Sequence, residues 1–400
     1  MNIPKLRFKE FTDEWNIHKL KDLCTTCGGG TPSKSITEYW TGNIPWISSS
    51  DLESNSIFKI NISKFITTKA ISESATKIIP PNSILIVSRV GVGKVAINYN
   101  ELCTSQDFTN LINIKSNPIF LTYLLKIKME KQIQQTQGTS IKGITTNDIK
   151  NINCTLPNIK EQEKIATFLT TVDKKITNLE NTITSLENQK KGLLQQIFSQ
   201  KLRFKDKNGN NYPNWEKKKL GDIGSFSRGG NLSKSDLSKK GTSCILYGEL
   251  YTYYNEFATE IKSKTLNTTN LVLSKKYDVL LPLSGETAED ISTCTCIFFD
   301  DIALGSDLLI FRSSFFDGRF MSLLLKYKYK YKIAQIAQGK SIVHISEKNI
   351  KNINIKIPCI EEQQNIADFI LIFTKKLENQ KAQLEHWKQI KKGLLQQMFV

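Results

Sequence analysis

The 32 residues GTSIKGITTNDIKNINCTLPNIKEQEKIATFL, Gly138 to Leu169, align without a gap on GKSIVHISEKNIKNINIKIPCIEEQQNIADFI, Gly339 to Ile370, with 16 identities. Self-similarity of that length obliges the chain to fold as two copies of one plan. The offset holds elsewhere. KKGLLQQIF, Lys190 to Phe198, returns as KKGLLQQMF, Lys391 to Phe399, at an offset of 201, and Trp15 answers Trp215 at 200. HKLKDL at His18 to Leu23 matches KKLGDI at Lys218 to Ile223, and GGTPSKS at Gly29 to Ser35 matches GGNLSKS at Gly229 to Ser235. Between these anchors the copies diverge, as in TGNIPWISSSDL against KGTSCILYGEL. With 400 residues, 39% of them hydrophobic, there is enough chain for two or more packed domains. The order is globular segment 1–156, helix 157–199, globular segment 200–357, helix 358–400.

The helices are legible from periodicity. Asn158 and Glu161 resemble a capping box with Asn as N-cap. After them apolar residues alternate in steps of four and three: Ile165, Leu169, Val172, Ile176, Leu179, Ile183, Leu186, then Lys190, then Leu193 and Ile197. The second copy holds Ile366, Ile370, Phe373, Leu377, Gln380, Leu384, Trp387, Lys391, Leu394 and Met398 at the same places, with Cys359 where the cap should be. A sustained 3.5-residue period specifies a left-handed coiled coil. Lys190 and Lys391 interrupt both seams at one position, either as register devices or as lysines that snorkel out of the seam.

Chain order then predicts topology. The second globular segment follows the end of the first helix and precedes the start of the second, so those two helix ends are neighbours. Facing seams make the helices antiparallel, with the globular parts at opposite ends of a rod about 60 Å long. The C-terminus should return beside the first segment, where KLRFK, Lys5 to Lys9, repeats as Lys201 to Lys205. The expected chain is a pseudo-twofold ring in which each helix end leads into the same docking segment.

The globular segments read as α+β with a mostly β core. SILIVSR (Ser83 to Arg89), LINI (Leu111 to Ile114) and LVLSKKYDVLLPL (Leu271 to Leu283) suggest strands, and residues near Phe120 to Gln132 and Arg319 to Lys332 suggest helices. Lys and Arg total 55 against 38 Asp and Glu, a net charge of +17, which predicts a polyanionic partner, simple solubility being the alternative. Loops rich in Gly, Ser, Thr and Lys suit phosphate contacts. The candidate DNA-facing residues are Ser33, Lys34, Ser48, Arg89, Lys94, Ser140 and Lys142 in the first copy, and Arg228, Ser233, Lys234, Tyr247, Lys340 and Ser341 in the second.

Signals for chemistry are missing. GVGKVAI, Gly91 to Ile97, lacks the first glycine of a phosphate loop and the hydroxyl after its lysine. There is no G-x-G-x-x-G after a strand, no asparagine-proline-proline-aromatic motif and no H-E-x-x-H. Three histidines, His18, His344 and His386, argue against a histidine-based active site. Eight scattered cysteines imply reduced thiols, and the single Cys24/Cys27 pair lacks two further zinc ligands, so no metal is expected. No apolar run reaches membrane-span length and the N-terminus has no signal-peptide core, which places the chain in the cytoplasm. The chain should select and assemble rather than react.

TLPNIKEQEKIATFL, IPCIEEQQNIADFI and the paired KKGLLQQ phrases resemble the two conserved regions of the specificity subunit of type I restriction-modification enzymes, over essentially the full chain. The divergent stretches fall where that family has its two target recognition domains. The resemblance implies that each domain reads one part of a split, asymmetric DNA target. It also implies that the helices carry two methyltransferase subunits that methylate adenine from S-adenosylmethionine, and that restriction subunits with ATP-driven translocation join them. Cofactors, namely S-adenosylmethionine, ATP and Mg, are then expected on the partner subunits and none on this chain. A stand-alone bivalent DNA-binding or scaffolding protein would serve the repeat and charge equally well.

Overall fold

The computed structural model describes residues 3–135, 143–339 and 342–400. Four helices exceed eight residues among them: α1 (Pro118–Gln135), α2 (Ile159–Phe198), α3 (Gly318–Tyr327) and α4 (Ile360–Gln397). No helix among the described residues is long and apolar enough to cross a membrane. The chain divides into two compact units, Met1–Asn181 with Lys381–Val400, and Thr182–Gln380. Both long helices, α2 and α4, therefore contribute to both units.

In the first unit the strands form two four-stranded sheets. One runs Thr25–Gly28, Phe108–Ile112, Ile84–Val87, Val95–Ile97, antiparallel throughout. The other runs Lys64–Ile66, Ile44–Ile47, Leu102–Thr104, Ile78–Ile79, with its central pair parallel. The SILIVSR run becomes Ile84–Val87, a strand buried on both faces, which is why it is continuously apolar instead of alternating. Asn16–Lys19 pairs with Asn153–Leu156, tying the start of the segment to the strand that precedes α2.

The second unit repeats this plan with a five-stranded sheet, Ser225–Arg228, Leu308–Arg312, Val279–Pro282, Thr295–Ile297, Phe257–Ala258, and a four-stranded one, Leu237–Ser238, Ser263–Thr265, Thr242–Ile245, Ala303–Leu304. The run expected as one strand, LVLSKKYDVLLPL, is a strand only over Val279–Pro282. Asp278 breaks it. Its carboxylate accepts from Lys275 N–H at 2.7 Å and from Arg312 at 2.5 and 2.6 Å, and Tyr277 takes a left-handed φ of 70° to make the turn. A Cβ at Gly318 would lie 1.9 Å from Tyr277 O, so glycine is what lets α3 begin against that turn. The second helical piece splits likewise into α3 and a short helix, Lys330–Gln335.

The repeated phrases have matching jobs. Within the first unit Leu6 N–H donates to Gln397 O at 2.9 Å, and within the second Leu202 N–H donates to Gln196 O at 3.1 Å. Each KLRFK segment thus receives a helix end, and in the first unit that end is the one leading to the C-terminus. Phe399 lies 5.1 Å from Phe120, and Phe198 lies 6.2 Å from Phe320. Trp15 and Trp215 approach the same two phenylalanines edge-on, at 5.8 and 5.9 Å. The last residue of KKGLLQQ(I/M)F is therefore a core residue of the unit it enters.

The docking arginines read the helix starts. Arg7 makes a two-pronged pair with Glu161, both contacts 2.8 Å, and Arg203 does the same with Glu362 at 2.9 and 2.6 Å. Both glutamates are buried, and a charge there persists only when paired and hydrogen-bonded. This corrects the capping-box reading by half. Asn158 Oδ1 does accept from Glu161 N–H at 3.0 Å, but the Glu161 side chain turns to Arg7 instead of back to the cap. The next residue explains the second letter that the two copies share: Gln162 bridges Asn117 N–H and Pro157 O, and Gln363 bridges Asp317 N–H and Pro358 O.

The seam residues are buried in the first helix from Ile165 through Leu169, Val172, Ile176, Leu179, Ile183 and Leu186. Beyond Lys190, Ile197 is buried as expected, but Leu194 is buried and Leu193 only half-buried, because the helix there packs into the second unit's core. In α4, Ile366, Ile370, Leu377 and Leu384 are buried, whereas Phe373 and Trp387 are half-buried and Thr374 takes the interior place beside Phe373. Neither seam lysine snorkels. Lys391 is buried and donates to Asp173 of α2 at 2.5 Å within the first unit. Lys388 and Glu180, 3.9 Å apart, continue that pairing with numbers running in opposite directions, so the two helix portions in this unit are antiparallel. Lys190 is equally buried but pairs with Glu256 of the second unit's globular part. Glu256 also accepts from Tyr327 and Thr374, at 3.0 and 3.3 Å.

Candidate nucleic-acid interface

Each unit has an open cleft at the same place in the repeat, where the chain passes from the sheets toward the strand that precedes a long helix. In the first unit it has a volume of about 590 Å³ and is lined by Gly28, Gly29, Ser88, Arg89, Gln106, Phe108, Thr109 and Gly143 to Thr146. Ile144 N–H donates to Ser88 O at 2.7 Å across its floor, as Ile345 N–H donates to Leu283 O at 3.0 Å in the second unit. The second cleft, about 280 Å³, is lined by Arg228, Leu283, Ser284, Asp307, Ile336, Gln338, His344, Ile345, Ser346 and Asn349. Arg89 and Arg228 are both exposed at these sites.

A further hollow of about 510 Å³ in the second unit brings Ser233, Lys234 and Tyr247 together with Tyr251, Thr252 and Tyr253. Tyr247 and Tyr251 have ring centroids 6.5 Å apart, and Lys234 is exposed on a single helical turn. A lysine and several tyrosines lining one hollow suit a phosphate backbone with sugar or base faces against it, although Glu249 and Glu286 line it as well.

Not every expected side chain is available. Ser48 and Ser233 both cap short turns, each hydroxyl bonding the carboxylate three residues on, Asp51 at 2.7 Å and Asp236 at 2.8 Å. Lys94 Nζ donates to Ser49 O at 2.9 Å and Leu52 O at 2.8 Å, which holds a loop in place. Ser33 is exposed and bonds Ser35, and Lys34 next to it is exposed. Ser140, Lys142, Lys340 and Ser341 lie outside the described residues. The clefts also hold groups that composition and loop pattern passed over: Gln106 in the first, and Ser284, Asp307, Gln338, His344 and Asn349 in the second. One signal was present in the sequence. Within the aligned block, His344 stands where the first copy has Gly143, a difference of chemistry inside otherwise matched text.

The cysteines serve packing. Cys24, Cys103, Cys154, Cys244, Cys294 and Cys296 are buried free thiols, and burial pushes Cys154 up to about 12, away from reactive thiolate.

Residues 12–188 and 212–386 each match the family described as type I restriction modification DNA specificity domain. The chain is 29% identical over 414 residues to the type I restriction enzyme MjaIX specificity subunit of Methanocaldococcus jannaschii, covering 96% of this chain and 92% of that one. It is 32% identical over 189 residues to the EcoR124I/EcoR124II specificity subunit of Escherichia coli, covering 45% and 44% of the two. Among solved structures it resembles a type I restriction-modification S subunit from M. genitalium, with a TM-score of 0.63 at 17% identity over 100% and 99% of the chains. A chain of a type I R-M system, described for its complex assembly and conformational transition, matches with a TM-score of 0.56 at 15% identity over 96% and 97%.

Proposed function

Since this chain belongs to the type I restriction-modification DNA specificity family, we propose that each unit reads one part of a split, asymmetric DNA target. On this reading α2 and α4 hold two adenine methyltransferase subunits, and restriction subunits join the same assembly in the cytoplasm. S-adenosylmethionine, ATP and Mg belong to those partners, and this chain contributes recognition without catalysis.

One observation carries the reading: the two copies keep their frame and change their clefts. Arg7 and Arg203, Gln162 and Gln363, and Phe399 and Phe198 each meet the equivalent partner in the two copies. The cleft floors match as well, while the side chains that look into them differ. A frame repeated for position with contents varied for identity is what two different half-targets require. The net charge of +17 supplies the sequence-independent attraction to phosphate.

The test is methylome sequencing of cells that carry the chain with an adenine methyltransferase partner. The helices pass between units at Asn181–Thr182 and Gln380–Lys381. One heptad inserted after Leu179 and one after Gln380 preserves the seam and adds about 10 Å of helix, equivalent to roughly three base pairs. The expected result is a methylated two-part target whose halves are unchanged and whose gap has grown. Methylation at a single undivided site, or none that depends on this chain, would overturn the proposal in favour of a stand-alone binding or scaffolding protein.

A further inference from the structure

The cleft of the second unit contains a three-group relay whose protons can be placed. Ser284 Oγ lies 3.0 Å from Asp307 Oδ2 and 2.9 Å from His344 Nδ1. An ionised carboxylate can only accept, so the single hydroxyl proton of Ser284 goes to Asp307. Ser284 Oγ must then accept from His344, which puts the imidazole proton on Nδ1. The neutral ring consequently carries its lone pair on Nε2, and no described residue bonds that atom.

The ring is held by more than this relay. Ser284 is buried, and its strand pairs with Val343–His344. On the other side the His344 backbone exchanges two hydrogen bonds with Gln338, at 3.0 and 2.8 Å. Asp307 is anchored by Leu283 N–H donating to its carbonyl at 2.7 Å. The side chain nevertheless remains exposed at the cleft, beside Arg228. A fixed tautomer on a pinned backbone is a pre-set hydrogen-bond acceptor. The first unit cannot copy it: a Cβ at Gly143 would stand 2.7 Å from Ser88 O.

The geometry points to His344 as a specificity-determining residue of the second half-target. It presents the Nε2 lone pair to a base that offers an exocyclic amine in the major groove, adenine N6 or cytosine N4. Arg228, on the same cleft, contacts phosphate and contributes affinity. This rests on the reading of the units as DNA readers. It adds which residue of the second unit discriminates, and for what chemical feature.

The experiment is selection of a randomised duplex library by the full-length chain, followed by sequencing, for the wild type and three variants. His344→Ala should relax preference at one or two adjacent positions of one half-target, roughly tenfold, leaving the other half and the gap unaltered. Ser284→Ala keeps the ring but frees its tautomer, so the same position should accept bases bearing a carbonyl as well as those bearing an amine. Arg228→Ala should weaken binding to all sequences alike and reduce the salt slope by about one. A wild-type profile with two selected halves that His344→Ala leaves intact, or weakens evenly at every position, would overturn the assignment to His344 alone. A wild-type chain that selects nothing would overturn DNA reading itself, and this assignment with it.

Discussion

At the scale of single residues, each unit buries one seam lysine and supplies a carboxylate from a different place. In the first unit the partner is Asp173 on α2, which also accepts from Tyr123 at 2.5 Å; in the second it is Glu256, while Thr374 occupies the position equivalent to Asp173. Removing one member of such a pair leaves an uncompensated buried charge. Lys391→Met should therefore cost about 3–5 kcal/mol in denaturant unfolding, and adding Asp173→Asn should recover most of it. If the single variant unfolds like the wild type, the pair does not matter to stability. Glu256 adds a pH signature. Burial pushes its carboxyl up, yet the Lys190 ammonium, with Lys326 and a backbone hydrogen bond, more than offsets this and leaves it below the ordinary value of 4.5. A group whose folded pKa is depressed contributes stability above its unfolded pKa and loses it as pH falls through the folded one. Acid unfolding followed below about pH 4.5 should thus be shallower in a variant that replaces both Lys190 with Met and Glu256 with Gln. Lys126 is the converse case: burial, with Lys391 nearby, pulls it down to about 8 from 10.5, so the folded state resists its charge. Lys126→Met should stabilise the protein by roughly 1–2 kcal/mol at pH 7, after allowance for the lost bond to Ser54 O, and the gain should shrink as pH rises from 8 toward 10.5.

At the scale of elements, the two long helices start with unequal caps. Asn158 satisfies the Glu161 N–H, whereas Cys359 offers only a sulfur to the equivalent Glu362 N–H. Replacing Cys359 with Asn should stabilise the second unit by about 1 kcal/mol, read as a higher midpoint in thermal or denaturant unfolding. A neutral result would mean that Arg203 and Gln363 already hold the helix start in place. Arg203→Lys probes that grip. A lysine cannot reproduce two parallel N–H···O bonds, so about 1–3 kcal/mol should be lost even though the charge is kept. Hydrogen exchange at the first turn of α4 should rise in this variant and stay unchanged at the first turn of α2. The same contacts explain why Glu-Gln survives at the start of both helices when neighbours changed: one letter answers an arginine and the next bridges two backbone groups.

At the scale of the whole molecule, the two units are interleaved in sequence, because the first is completed only by the last 20 residues of the chain, Lys381–Val400. Truncation before Lys381 should for that reason unfold the first unit, exposing Phe120 and Trp15, even though no residue of its globular segment is removed. The hydrogen bond from Leu6 to Gln397 puts the two ends of the chain beside each other in that unit. A circular permutant opened in DKNGNNYPN, Asp206 to Asn214, with Met1 and Val400 joined by a flexible linker, should fold with the wild-type unfolding midpoint. Failure to fold would show that the continuity of KLRFK with the second globular segment is needed, and that docking alone does not suffice.

The repeat, most of the seam and the docking phrases were decided by sequence alone, because each depends on a period or an offset that any fold must respect. An apolar residue every 3.5 positions has one way to leave water, and a duplicated phrase must find a duplicated surroundings. The buried strand at Ile84–Val87 was legible for the same reason. What depended on tertiary structure was where isolated polar groups end. Nothing local tells Lys94 to bond two carbonyls more than 40 residues away, or Lys190 to choose Glu256 over solvent. Ser284, Asp307 and His344 are separated by as many as 60 positions and meet only when strands from distant parts of the second unit pair. Periodicity is a property of neighbours along the chain, whereas a hydrogen bond forms between whatever the folded backbone brings within 3 Å.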